Sequence, residues 1–423
     1  MTKLSHRILI VILFLNSLCV KAQQDGSSAI VVVRSIDPAD TNFSDLRGLG
    51  AAIGNSRIVL LGEQTHGEGS TFLAKTRIIK YLHEQMGFDV LAFESGFYDC
   101  ARIWENIQQG GQVSKEVVGS LFYMYATSTQ MQSLFDYIQS GLRQEHALRL
   151  AGFESQHSGV KAKTDLFVDF EQYLERHDPG MVDSAWRLFS RVSVATFASR
   201  GYRPDEQERK LFFEKMAGLK RAMKKAMKAD TPEPDSLTGS AGFWYQVVCS
   251  IESQSLRYWQ MTTGNEVSVR DLQMAQNLIW LAEKAYPGKK IIVWAHNGHI
   301  AKSLTSVGAG VPGTAVDPFV PMGATIHSYF GTKAYHIGFS GCQGSYMDYV
   351  DSHIVTLQPK PAADLEPMLT ANSPYAFIDF RHAPPDLRQK RSASMSDYEE
   401  VSAVWPEVFD GLFIIKDVFP VKR

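Results

Sequence analysis

Glu63 and His66 stand three residues apart in the segment Gly62, Glu63, Gln64, Thr65, His66, Gly67, directly after the apolar run 57–62. A carboxylate and an imidazole at that spacing in a tight loop can move a proton together. The acid orients the ring or stabilises its charged form, and the ring takes a proton from water. Glu94 closes a second apolar run, 89–93, where an unpaired carboxylate would be costly to bury and so needs solvent, a cation or donors. His296, Asn297 and His299 follow a third run, 290–295, and the Asn297 amide can donate to a developing oxyanion. A weaker fourth case is 148–153, which ends on Glu154 and His157. Each acid or histidine alone has a structural explanation, as a hydrogen-bonded loop residue or half of a salt bridge. The set Glu63, His66, Glu94, His296 and His299 is more specific. It suits either a histidine that activates water or a divalent metal site for zinc or manganese.

Such residues act together only if the strands that carry them end side by side. Strand-like runs recur at 57–63, 89–94, 148–154, 289–296, 333–339, 375–380 and 411–416, mostly as continuous apolar stretches. That pattern predicts an α/β fold with a largely parallel sheet covered by helices on both faces. In such a sheet the carboxyl ends of the strands open onto one crevice. Phe72, Lys75, Ile78, Ile79, Leu82 and Met86 keep a 3.6-residue period, so a helix is expected there, with Ser70 as its N-cap. Between about 160 and 286 the strand signal vanishes and breakers such as Pro179 and Pro204 separate helical stretches. A helical insertion forming a lobe over an open cleft is expected. Its basic stretch 210–228 reads as a helix with one buried stripe and a solvated face. Phe122, Tyr123, Met124 and Tyr125 make an aromatic cluster, with Tyr123 and Tyr125 as candidate substrate walls.

At 423 residues and 44% hydrophobic content the chain can build one large core. Lys3 and Arg7 precede the apolar run 8–15, and 20–22 offers a small-residue cleavage site, so residues 1–22 are expected to be a secretory signal peptide and 23–423 the mature domain. Export to a periplasm or the outside follows, without a stable membrane anchor after cleavage. Removing 1–22 leaves 40 basic against 45 acidic residues. This weakly acidic balance gives no pull toward nucleic acid. Cys100, Cys249 and Cys342 remain, an odd number at wide spacing that marks neither a disulfide framework nor a CxxC metal site.

The chain resembles the erythromycin esterase family. The resemblance rests on 62–67, 88–96, 270–275, 293–300, Met322 with Gly323, and 409–415, in order over roughly 45–418. It implies an enzyme that hydrolyses a carboxylic ester or lactone, foremost the macrolactone of 14-membered macrolides such as erythromycin, and hence macrolide inactivation and antibiotic resistance. His66 matches the family's water-activating base. Glu63 and Glu94 match its acids, and His296 and His299 its oxyanion-side histidines. Arg270, beside Asp271, is expected near the substrate, as is Asn297. The family usually has Arg where this chain has Lys75, nine residues after His66. Lys keeps the charge but not the planar fork, and Lys75 is expected to share oxyanion stabilisation with His296. The resemblance implies no cofactor and no metal, with a small-molecule ester as the partner. Two other readings remain open: a metal-dependent hydrolase using the same residues, and an exported binding protein for a haem-like ligand.

Overall fold

The computed structural model describes residues 29–262, 266–307 and 319–423; the expected signal peptide lies outside them. The strands, in chain order, are β1 (Ile30–Val33), β2 (Ile58–Leu61), β3 (Val90–Gly96), β4 (Arg149–Glu154), β5 (Ile291–Trp294), β6 (Ala334–Met347), β7 (Ile354–Leu357), β8 (Tyr375–Asp379), β9 (Arg391–Ser394), β10 (Glu400–Ala403) and β11 (Gly411–Val418). Nine of them form one sheet in the order β1-β8-β11-β6-β2-β5-β3-β4, with β7 paired to β6. All neighbours from β11 to β4 are parallel, whereas β1, β7 and β8 pair antiparallel. The α/β architecture is therefore present, with an antiparallel margin. β9 and β10 make a separate two-stranded sheet.

The strands read as unbroken apolar runs because both faces of the sheet are buried. Ile58, Leu60, Val90, Ala92, Ile291 and Val293 point into one core, and Val59, Leu61, Leu91, Phe93, Ile292 and Trp294 into the other. The first core is completed by Phe170, Trp186, Phe212 and Trp244 from helices between β4 and β5. The helical segment thus shares its core with the sheet, and burial of each such large side chain stabilises that union by about 1.5–3 kcal/mol. In the basic helix Glu206–Ala226, Phe212, Met216, Leu219 and Met223 are buried and most of the lysines face outward. Among the described residues no helix is long and apolar enough to cross a membrane, and Cys100, Cys249 and Cys342 are free and buried.

Parallel register aligns the strand ends that matter. Leu61 and Phe93 both sit opposite Trp294, and Gly96 opposite Glu154. β5 lies between β2 and β3 although it follows them by some 200 residues in sequence. The chain reverses its direction of travel across the sheet here, and such switch points leave a crevice beyond the carboxyl ends. Beyond β2 the helix Gly69–Met86 has Glu68 at its N-cap position, two residues before the expected Ser70 cap. The Ser70 hydroxyl instead donates to Glu68 Oε1.

Candidate active site

Glu63 is fully buried at the end of β2 and its carboxylate accepts four hydrogen bonds. Oε1 takes His66 Nδ1 at 2.7 Å and Tyr125 OH at 2.7 Å; Oε2 takes Lys75 Nζ at 2.9 Å and Trp294 Nε1 at 2.8 Å. Burial alone would push this carboxyl up, but Lys75, then His66 and Tyr125, outweigh it and the net shift is downward. An ionised carboxylate only accepts, so His66 carries its proton on Nδ1 and its lone pair on Nε2. Nε2 has no protein hydrogen-bond partner among the described residues. The ring is 14% exposed, lines the cleft and packs edge-on against Phe122 and Tyr349. A base with its rear nitrogen fixed and its front nitrogen facing a cavity is set to deprotonate water.

Two glycines permit this turn. A side chain on Gly62 would strike Asn297 Oδ1 at 2.0 Å, and one on Gly67 would strike the Met347 carbonyl at 1.7 Å. The close approaches stitch β2 to its neighbours: Asn297 N–H donates to the Glu63 carbonyl at 2.8 Å, and the Gln64 amide donates to the carbonyls of Phe339 and Ser394.

Glu94, two residues before the end of β3, stands at the cleft wall. Oε1 accepts from Arg270 Nη2 at 2.9 Å and lies 3.2 Å from His299 Nε2, while Oε2 accepts the His296 backbone N–H at 2.8 Å. Burial opposes ionisation, but His299, Arg270 and His66 bring the pKa well below the usual carboxylate value. Arg270 also grips Glu154 through Nε at 2.8 Å, and His299 Nδ1 is 2.8 Å from Asp271 Oδ2. Arg270 Nη1 comes within 3.0 Å of His299 Nε2, a contact that a neutral ring would accept. Burial and Arg270 disfavour the imidazolium, yet the Asp271 and Glu94 carboxylates prevail and raise its pKa to about 10. The two carboxylates thus favour the protonated ring, which with Arg270 brings positive charge to the cleft.

The cleft has a volume of about 470 Å³ and gathers His66, Glu94, His296, His299 and Arg270 from the expected set. Glu154, Phe122, Tyr349 and Asp397 join them. The expectations for five residues need correction. Lys75 is sealed behind Glu63, 4.1 Å from the centre of the Trp294 ring, and does not line the cleft. It holds the acid and cannot meet an oxyanion. Asn297 is fully buried, its amide spent on the Phe339 and Met395 carbonyls. Tyr125 is a donor to Glu63, buried beneath His66, and Tyr123 lies outside the cleft lining with Arg423 over its ring. His296 does line the cleft, but its Nε2–H donates to the Gln64 carbonyl at 2.6 Å and its Nδ1 accepts from Gly298, so neither nitrogen is open to an oxyanion.

The ring nitrogens also bear on a metal. His66 Nδ1, both nitrogens of His296, and both of His299 already face hydrogen-bond partners. Among the described residues, the donors that converge as a metal's ligands would are the surface trio Asp348, Asp351 and His353. His157 is buried against Phe197, with burial holding its pKa down to about 4. Glu154, Asp397 and Tyr349 had weaker sequence signals. Glu154 ends β4, whereas Asp397 and Tyr349 come from loops with no periodicity to flag them.

The family of erythromycin esterases matches the chain over residues 83–418. Glu63, His66 and Lys75 precede that stretch. A Bacillus subtilis (strain 168) protein named "Putative hydrolase YbfO" is 27% identical over 410 residues, covering 91% of this chain and 89% of that one. The Escherichia coli protein named erythromycin esterase type II is 21% identical, covering 89% and 93%. Among solved structures, an erythromycin esterase mutant, EreC, in its open conformation superposes with a TM-score of 0.69 at 18% identity, covering 92% of this chain and 98% of that one. At that identity the superposition speaks for the fold.

Proposed function

The chain belongs to the erythromycin esterase family and is a hydrolase, and from that premise we propose that it cleaves a carboxylic ester or lactone by attack of water activated at His66. The observation that carries this reading is the pairing of His66 Nδ1 with the sealed Glu63 carboxylate at 2.7 Å, which leaves Nε2 toward the cleft. Water on that side loses its proton to Nε2 as its oxygen attacks the ester carbon. The carbonyl oxygen takes up the electron pair in the positive field of Arg270 and His299, whose N–H groups stay on Glu94, Glu154 and Asp271. Collapse of the tetrahedral adduct expels the alkoxide, which regains the proton from His66. Glu63, Lys75, Tyr125 and Trp294 act behind the base as positioning residues.

Imidazole-driven attack without a metal is part of the same reading, supported by the committed nitrogens of His296 and His299. The names of the relatives put the macrolactone of erythromycin first among lactones to try. Export belongs to the reading as well, supported by the apolar run 8–15 and its flanks; the secreted form would begin at Gln23.

The test is to incubate the purified protein with erythromycin and with 4-nitrophenyl esters, with and without a chelator, and to follow product mass. Gain of one water that survives chelation and is lost in His66→Ala is expected. Turnover that stops on chelation and returns with zinc would overturn the metal-free reading, and absence of turnover on every ester would overturn ester hydrolysis.

A further inference from the structure

The cleft continues past Arg270 into an outer chamber of about 340 Å³ that shares Gln156, Arg200, Tyr258 and Arg270 with it and adds Arg203 and Arg257. The two chambers differ in charge. Glu94, Glu154 and Asp397 line the inner one, while among the described residues no acid lines the outer one. Of its four arginines, Arg270 is taken up by Glu94 and Glu154. Arg200, Arg203 and Arg257 form no ion pair among the described residues. Arg203 turns Nη1 to the carbonyls of Arg200 and Tyr202, which leaves Nε and Nη2 unspent. Arg200 and Arg257 stack on Tyr258, with guanidinium carbons 5.5 and 5.6 Å from the ring centre. Arg257 Nη2 is buried without a hydrogen-bond partner. Burial, helped by Arg270 and Arg200, pulls the Arg257 pKa down although Glu154 pulls it up.

Guanidinium groups gathered without ion-pair partners of their own repel one another, and an orphaned buried N–H is costly. An oxyanion resolves both, because its lone pairs match the guanidinium fork and its charge matches the cluster. We propose that the outer chamber is an anion subsite in which Arg200, Arg203 and Arg257 seat a remote carboxylate or phosphate of the molecule whose ester is opened at His66. This rests on the hydrolase reading above but shifts the preferred substrate class away from erythromycin, which carries an amine and no anionic group, to esters with an anionic group at a distance from the reacting carbonyl. Arg200 and Arg203 come from the turn after the helix Ser184–Ala198, and Arg257 from the end of the helix Ala241–Tyr258. The helical insertion would then contribute specificity, and the sheet the chemistry.

The test compares kcat/KM for 4-nitrophenyl half-esters of linear dicarboxylic acids, from succinate to sebacate, with their methyl-capped neutral counterparts. At the best chain length the free acid is expected to be favoured by about tenfold, which corresponds to about 1.4 kcal/mol. Arg203→Gln, on the exposed turn and outside the lining of the inner cleft, should reduce that preference to about threefold or less and leave the neutral ester unchanged, and Arg200→Gln should reduce it likewise. Competitive inhibition by inorganic phosphate, set against that by suberate, distinguishes a phosphate from a carboxylate as the better fit. Equal rates for acid and capped ester, or a preference that survives in both variants, would overturn the subsite. If no ester is turned over, the hydrolase reading fails. The subsite is then read alone by calorimetric titration of the His66→Ala protein with suberate and with phosphate. Binding that weakens in the added Arg203→Gln variant sustains it, and no binding refutes it.

Discussion

Glu63, just past β2, and Glu94, near the end of β3, stand on either side of β5 in the same parallel sheet and are both held ionised, yet their surroundings differ. Glu63 is closed off by a lysine, a histidine, a tyrosine and a tryptophan. Glu94 is held by Arg270, His299 and a backbone N–H and keeps a place in the cleft wall. The sealed acid fixes a tautomer, and the open one gathers positive charge where the substrate must lie. Sequence position alone makes them look alike; the side from which their partners arrive separates them.

The comparison is broken most severely at the base that Glu63 serves. His66→Ala is expected to lower kcat/KM for ester hydrolysis by about 10²–10⁴-fold with little change in melting temperature. Glu63→Gln should come next in rate and first in stability. It frees His66 to take the wrong tautomer and leaves Lys75 buried without its counter-charge, at about 3–5 kcal/mol by denaturant unfolding. Glu94→Gln should cost less, about 1–3 kcal/mol, since Arg270 keeps Glu154. Equal destabilisation by the two glutamines would erase the distinction between a sealed and an open acid.

Two pH experiments sharpen it. Burial brings the Lys75 pKa down to about 8 against the pull of Glu63. Hydrolysis should therefore fall above about pH 8, and Lys75→Arg, which stays charged, should move that fall upward if the cage admits the larger group. Its stability effect runs the other way. A cation whose folded pKa is depressed costs most below that pKa, so Lys75 penalises folding fully below about pH 8 and less as pH rises toward the unfolded value of about 10.4. His299 has the opposite sign. Its folded pKa of about 10 exceeds the unfolded value of about 6.5, so its contribution is complete below pH 6.5 and is lost as pH rises to 10. His299→Asn should flatten the decline of stability across that window, measured by urea unfolding at several pH values; an unchanged slope would mean that the ring is neutral.

The four strand ends were legible because strands buried on both faces read as unbroken apolar runs, and acids or histidines closing such runs stand out. β1 and β7 were not legible. β7 alternates between exposed and half-exposed residues, and both are four-residue strands paired antiparallel at the margin. The helix period placed Lys75 on the same stripe as Phe72 and Ile79, and that stripe was itself the sign that Lys75 faces inward. Asn297 was misplaced because adjacency to a histidine along the chain does not say whether a side chain turns to the cleft or to the layer beneath it. Tyr125 was marked by its aromatic cluster, and the short helix Tyr123–Thr127 turns that ring beneath His66 to Glu63. The arginines of the outer chamber are spread over 200–270 and become a cluster only through the packing of the insertion helices on the sheet.

The most direct test of the His66 and Glu63 pairing is imidazole rescue of the His66→Ala protein on a 4-nitrophenyl ester. A rate that collapses in the variant and recovers in proportion to added imidazole, more so with Glu63 present than in the His66→Ala, Glu63→Gln double variant, is the result expected. Near-normal turnover by His66→Ala without imidazole would contradict the account.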